Sequence, residues 1–264
     1  VVSDNGFGSK GNSADAMLAV HRVRPDWNSG AVQIERSVFL SDPNRQVPFL
    51  IVNEGTRERY LTGADFDTES LQVVGDTLWF GDEFGPWLIS TDLQGRVTGV
   101  HATQVDGKPV RSPDHAALGM PAIPSAVTFE ARRSRGFEGM AASRDGRLLH
   151  PLLEGPLWTG SGWEMHDGCE VLRILVLGAD GIAAKVGSID LMAIADSQNL
   201  ARRGGKDGRF TFPFVTIEDV DVVDAEHIIV ANDNNYPYSM GRALGRQDDN
   251  EFILLRVPEL LKAR

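Results

Sequence analysis

Apolar residues along this chain come in short runs cut by Gly, Asp and Asn: LQVV with DTLWFGDE, WLISTDLQGRVTGV, MAASRDGRLLHPLLE, EVLRILVLGADGIAAKVGSI, VDVVDAEHIIVAND and FILLRV. Runs of this length bounded by turn residues predict antiparallel hairpins. The 28 glycines fit the many tight turns that such a chain needs. A helical period is visible only in SIDLMAIADSQNLARR (188–203), with Ser188 or Asp190 as cap, and in the terminal PELLKAR. The expected fold class is all-β.

The hairpins share a pattern. One unit runs from Glu69 through SLQVV and LWFG to Asp82 and Glu83, then into WLISTDLQGRV. A second runs from Glu138 through GMAAS and LLHPLL to Glu154, and a third from Glu218-Asp219 through VDVV and IIVAN to Asp233-Asn234. A fourth is cut short, with VVS-Asp4-Asn5 followed by AMLAVHRV. Repeated four-stranded antiparallel units predict the blades of a β-propeller, about five to six when complete. The units recur roughly every 65 to 80 residues, longer than a lean blade, so 36–60 and 104–135 are long loops or degenerate blades. Residues 1–264 read as one such domain.

Each unit thus carries an acid before its first strand and an acid or amide after its second. On a propeller these positions converge at the channel mouth, where crowded carboxylates repel unless a cation neutralises them. Ca²⁺, which takes six to eight oxygen ligands, suits that chemistry. The candidate ligands are Asp4, Asn5, Glu69, Asp82, Glu83, Glu138, Glu154, Asp219, Asp233 and Asn234. Asp and Asn are ordinary turn residues, but turn chemistry does not account for Glu69, Glu138 and Glu218 ahead of apolar strands, where Glu is depleted. DFDTE (65–69) begins like an EF-hand loop and then fails, with Ser70 where glycine belongs and Asp76 where the bidentate Glu belongs. GFGSKG (6–11) matches a dinucleotide-loop spacing but lacks the βαβ unit that would give it meaning.

The formal net charge of −11 disfavours nucleic acid and anionic membranes as partners, and no apolar run is long enough for a membrane span. Cys169 stands alone, which excludes an intrachain disulfide and a thiolate cluster. The six histidines are scattered without metal-ligand spacing, and no nucleophile elbow, zinc helix or phosphate loop is present. Lys10, Arg59, Arg135 and Arg242 lie close in sequence to the acids, where they would orient an anionic group or simply balance charge.

Five segments, VVSDNGFGSKGNSAD, LTGADFDTESLQ, LWFGDEFGPWLISTD, GFEGMAAS with DGRLLHPLLEGP, and IEDVDVVD with VANDNNYP, together resemble the family called esterase-like activity of phytase. The resemblance implies a β-propeller related by analogy to calcium-dependent phytases, in bacterial and plant proteins that are commonly exported. It carries over Asp4, Glu69, Asp82, Glu83, Glu138, Glu154, Asp219 and Asp233 as site residues. Members have a further N-terminal portion before the DNG segment, so this chain is expected to lack that part and with it any signal peptide. The reading that follows is a secreted or periplasmic calcium-dependent hydrolase of small anionic phosphate esters or related esters. Glu83 would activate water, and Lys10, Arg59, Arg135 and Arg242 would hold the substrate. The alternatives are a non-catalytic, calcium-stabilised propeller serving as a binding or scaffold module, and a lactonase-type propeller hydrolase.

Overall fold

The computed structural model describes residues 1–26, 28–29, 31–116, 129–166, 169–178, 183–186, 189, 191–201, 203–214, 217–234 and 238–262. The chain divides into two compact units, Val1–Phe129 and Glu130–Arg264. Both are built from small antiparallel sheets, as the short apolar runs between turn residues predict. Among the described residues the one α-helix is the four-residue α1 (Pro258–Leu261), and no helix is long and apolar enough to cross a membrane.

In the first unit β1 (Ala19–Pro25) pairs with β2 (Val32–Phe39). Residues 1–3 add a third ribbon through the Val2–Val20 bridge and the Ser3 N–H donated to the Ala19 carbonyl at 2.9 Å. The second sheet is a four-stranded meander of β3 (Thr68–Val74), β4 (Thr77–Asp82), β5 (Trp87–Asp92) and β6 (Val97–Ala102). A small hairpin, β7 (Gln104–Val105) with β8 (Lys108–Pro109), follows. The apolar side chains of β4 and β5 are buried on both faces, which is why these two central strands read as near-continuous apolar runs.

The link between the two sheets is irregular but tightly held. Leu18, Leu40 and Leu61 are fully buried and pass backbone hydrogen bonds round a ring: Leu18 donates to Leu61 at 3.0 Å, Leu61 to Leu40 at 2.9 Å, and Leu40 to Leu18 at 3.0 Å. Their side chains join Phe66, Phe80, Trp87 and Ile89 in one core. Segment 40–60 is therefore a packed loop rather than a degenerate blade, since its polar backbone is satisfied by neighbours instead of by a ladder.

In the second unit β9 (Phe137–Ala142), β10 (Leu148–Leu153), β13 (Arg173–Gly178) and β14 (Ala183–Val186) form another four-stranded meander. A hairpin of β11 (Met165–His166) and β12 (Cys169–Glu170) interrupts it. Pro151 lies inside β10, a central strand, and is tolerated because the register against β9 slips between Pro151 and Leu153. Three short strands follow: β15 (Ile194–Ala195), β16 (Gly205–Lys206) and β17 (Arg209–Phe210). The last sheet comprises β18 (Ile217–Val222), β19 (His227–Asn232) and β20 (Phe252–Arg256). Leu152 and Ile174 of the first sheet pack with Ile217, Val220, Ile228 and Val230 of the last.

The helix expected over 188–203 does not form where the chain is described; its caps Ser188 and Asp190, and Arg202, lie outside the described residues. Ile194–Ala195 instead pair with β17. Asp196 accepts the N–H groups of Leu200 at 2.7 Å and Ala201 at 3.1 Å, closing a turn in which Asn199 takes φ +51°. An Asp that satisfies nearby backbone in this way competes directly with helix.

Strands β9 and β18 run so close that a side chain on Gly139 has no room. A Cβ there would lie 2.4 Å from the Glu218 carbonyl oxygen and 2.7 Å from the Val220 nitrogen, both rigid backbone. Gly139→Ala is therefore expected to cost about 1–3 kcal/mol of stability in urea unfolding. Gly162→Ala, at a position where a Cβ meets nothing within 4 Å, should be close to neutral.

Candidate functional site

The acids that open the units occupy one structural position. Against β4, Thr68 faces Asp82 and Ser70 faces Gly81, so Glu69 has no partner residue across the ladder. Against β19, Ile217 faces Asn232 and Asp219 faces Ala231, which leaves Glu218 as the extra residue. Against β10, Phe137 faces Leu153 and Met140 faces Pro151, so Glu138 and Gly139 together oppose Leu152. Each Glu thus sits in a β-bulge at the start of its sheet's first strand, and a bulge is how a strand re-aims a side chain. This removes the objection that Glu is a poor strand residue. The acids after the second strands are also equivalent: Glu83 donates its N–H to the Asp67 carbonyl at 2.9 Å, and Glu154 donates to the Gly136 carbonyl at 3.0 Å.

In the first unit the N-terminal ribbon meets the meander at this point. Thr68 Oγ1 donates to the Ser3 carbonyl at 2.8 Å, and Asn5 donates its backbone N–H to Asp67 Oδ1 at 3.1 Å and its side-chain amide to Oδ2. Gly63 is required for this contact, because a Cβ there would fall 2.0 Å from the Asn5 carbonyl oxygen. Asp82 is fully buried; its carboxylate accepts the N–H groups of Asp67 at 2.8 Å and Gly85 at 2.7 Å, yet burial pushes it up to about 7. Burial also raises Asp65, which accepts from Val52 and Thr62. Asp67 and Glu69 share a hydrogen bond that needs one proton between them. Burial raises both, and for Glu69 the adjoining Asp67, Glu83 and Asp4 carboxylates raise it further, far above the usual carboxylate range. Asp4 itself is exposed and accepts the Gly6 N–H at 2.7 Å.

In the second unit Glu138 hydrogen-bonds to both Glu154 and Glu218. Burial pushes Glu154 up to about 7 against the pull of Arg135, whose guanidinium it binds, and Glu218 is raised by burial and by the Asp233 and Asp219 charges. Asp219 and Asp233 are exposed; Asn234 is half-buried, its N–H donated to Asn250 Oδ1 at 2.9 Å. The two groups have the donor set a hard divalent cation takes: carboxylate oxygens, withdrawn from water, with fewer positive charges than negative ones around them. Within Asp67–Glu69 and Glu138–Glu154–Glu218 the carboxyls lie in hydrogen-bonding reach of one another, close enough for one cation to take the place of a shared proton.

The four predicted basic residues divide. Lys10 reaches the Asp114 carbonyl at 3.3 Å, lies 5.7 Å from the Phe84 ring centre, and lowers Asp65 and Asp82 electrostatically. Arg135 touches Glu154. Arg59, by contrast, is buried and committed to Asp42 (Nη2 to Oδ2 3.0 Å, Nε to the carbonyl 2.8 Å) and to Glu54. Arg242 grips Glu251 with two nitrogens and lies over Phe210 and Phe214. Both hold loops together. Sequence reasoning left Asp67 and Glu218 out of the ligand set; the recurrence of Glu69, Glu138 and Glu218 was the available signal for the second, and the acid-rich DFDTE segment (65–69) for the first.

Of the bulge-borne acids, Glu69 and Glu138 lie within the stretch that a family model matches, and Glu218 lies beyond it. The family model of phytase-like proteins, esterase-like activity of phytase, matches residues 1–177, and the chain belongs to that family. No protein with a curated description matches the chain.

The raised carboxyls fix the sign of the pH response. Asp82 and Glu154 keep protons in the folded protein up to about pH 7, whereas in the unfolded chain they lose them near pH 4. Their contribution to stability is complete below about pH 4 and declines as pH rises through 7. With a chelator present, the melting temperature should be higher at pH 5 than at pH 8. Added Ca²⁺ should raise it more at pH 8, and mixing the protein with Ca²⁺ in unbuffered solution near pH 6.5 should release protons, read on a pH-stat.

Proposed function

We propose that the protein is an exported, calcium-dependent hydrolase of phosphate esters or related esters, its sheets being blades of a β-propeller. The observation that carries the reading is the gathering of desolvated carboxyls at the bulges, hydrogen-bonded to one another with one Lys or Arg nearby. Structural carboxylates in this protein, such as Asp42 and Asp248, behave differently, being saturated by backbone N–H donors and arginine. Family membership supports the ester chemistry.

When bound, Ca²⁺ would neutralise the substrate's charge and polarise the phosphoryl or acyl oxygen. Asp67 and Glu69 in the first unit, and Glu138, Glu154 and Glu218 in the second, are the residues that would hold it. Glu83, buried just past the end of β4 with its backbone anchored to Asp67, would take a proton from water. Lys10 and Arg135 would orient the anionic group, and both sit beside carboxylates whose charge the cation would offset. Arg59 and Arg242 have no part in this scheme because their guanidiniums are already committed.

The test is hydrolysis of 4-nitrophenyl phosphate and 4-nitrophenyl acetate with and without EGTA. Turnover should vanish in EGTA and return with Ca²⁺, and Glu83→Gln should lower kcat by about 10²–10⁴-fold with an unchanged circular dichroism spectrum. Turnover indifferent to EGTA would overturn the proposal. A melting temperature that falls in EGTA, with no turnover of any ester, would identify a calcium-stabilised binding module instead.

A further inference from the structure

Most arginines of this acidic protein are matched to carboxylates, and one pocket of the first unit breaks that rule. A cavity of about 430 Å³ is lined by Arg36, Arg57 and Arg96 with Tyr60 and Phe39, and Glu58 is its single acid. Arg36 and Arg57 meet no carboxylate and no other partner among the described residues. Arg96 approaches Asp92 only at 3.8 Å, with more than half of its side chain in solvent. Three guanidiniums thus line one pocket against a single carboxylate, on a chain of net charge −11, and an anion would complement them.

The backbone beneath these side chains is fixed. Ser41 bridges Tyr60 on one side and Arg96 on the other; its N–H donates to the Gly95 carbonyl at 2.9 Å and its carbonyl accepts the Val97 N–H at 2.8 Å. Gly95 has φ +78° and packs against the end of β2, where a Cβ would strike the Phe39 carbonyl oxygen at 2.6 Å. Arg59 also has a positive φ, +51°, and is anchored inward on Asp42 and Glu54, while its neighbours Arg57 and Glu58 stay exposed. Tyr60 and Phe39 meet edge to face with ring centres 6.2 Å apart, each partly exposed, and offer an apolar wall beside the charges.

We propose that this pocket binds an organic phosphate, its phosphoryl oxygens held by Arg36, Arg57 and Arg96 and its carbon skeleton resting on Tyr60 and Phe39. Guanidinium forks match phosphate oxygens in geometry and charge, and the aromatic pair favours a flat organic group over a bare ion. The site uses none of the carboxylates of the hydrolytic reading, so it stands or falls independently of that reading.

The experiment is isothermal titration of the protein with phenylphosphonate, a non-hydrolysable dianion, at pH 8 in chelator, which removes any metal-borne anion site. One-to-one binding is expected, weakened at least tenfold in the Arg36→Gln/Arg57→Gln double variant and unchanged in Arg22→Gln. Arg22 stands across the ladder from Arg36 but is bound to Glu35 and does not line the pocket, so the last variant removes a nearby charge and leaves the lining intact. Because Arg36 and Arg57 hold no protein partner, the double variant should melt with the wild type. Absence of binding at millimolar phenylphosphonate, binding that survives the double substitution, or an equal loss in Arg22→Gln would each overturn the proposal.

Discussion

A β-strand that opens on a buried residue, as β3, β9 and β18 do, gives the next position little room for a glutamate, and the carboxylate clusters depend on the device that makes that room. At the head of β3, β9 and β18 the ladder slips by one residue, and the slip carries Glu69, Glu138 and Glu218 respectively. The extra residue is released from the two-residue alternation, so its side chain need not point into either face of the sheet. The strand beyond it resumes its pairing with apolar residues in register. Without the slip, each Glu would either enter the core or shift every later side chain to the wrong face.

The electrostatics follow from that placement. Withdrawing several carboxyls from water raises the cost of their charge, and the protein lowers it locally in three ways. Short Asp side chains accept backbone N–H groups, as Asp82 does from Asp67 and Gly85. Carboxyl pairs share a proton, as Asp67 does with Glu69. A single guanidinium or ammonium stands by, as Arg135 does beside Glu154 and Lys10 near Asp82. None of the three removes the repulsion fully, which is why burial still dominates the upward shift of every one of these groups.

What the sequence makes legible divides along the same physical line. Hairpins such as LQVV–DTLWFG and MAAS–LLHPLL are legible because short apolar runs and the turn residues that bound them are local properties. The repeat of acids at unit heads is legible too, and it leads to Glu69 and Glu138. A bulge is not, since it is a relation between two strands; a reading without it favours Asp219 in the third unit, whereas the slip selects Glu218. Basic residues are the least legible. Arg59 precedes an acidic loop, yet its left-handed backbone accompanies an inward anchor on Asp42, and Arg242 is drawn to Glu251 and two phenylalanines. The segment 188–203 has helical spacing, but a single Asp196 that caps its own backbone, with a two-residue ladder to β17, outweighs that propensity.

Side-chain length finally separates the two kinds of acid. Asp42, Asp65, Asp196 and Asp248 each accept N–H groups from close by in the chain and so close turns, whereas Asp67 takes the N–H of Asn5 from 62 residues away. The bulge glutamates have one methylene more. Glu138 uses that reach to cross from its own sheet to Glu218 of the next, beside the contact that Gly139 keeps open. Replacing such a Glu by Asp would keep the charge and lose the crossing, while replacing a capping Asp by Glu would keep the charge and lose the turn. The acids of this protein are therefore not one population of surface charge. The capping aspartates fold the loops, and the bulge glutamates, with Asp67, are the groups whose oxygens meet one another.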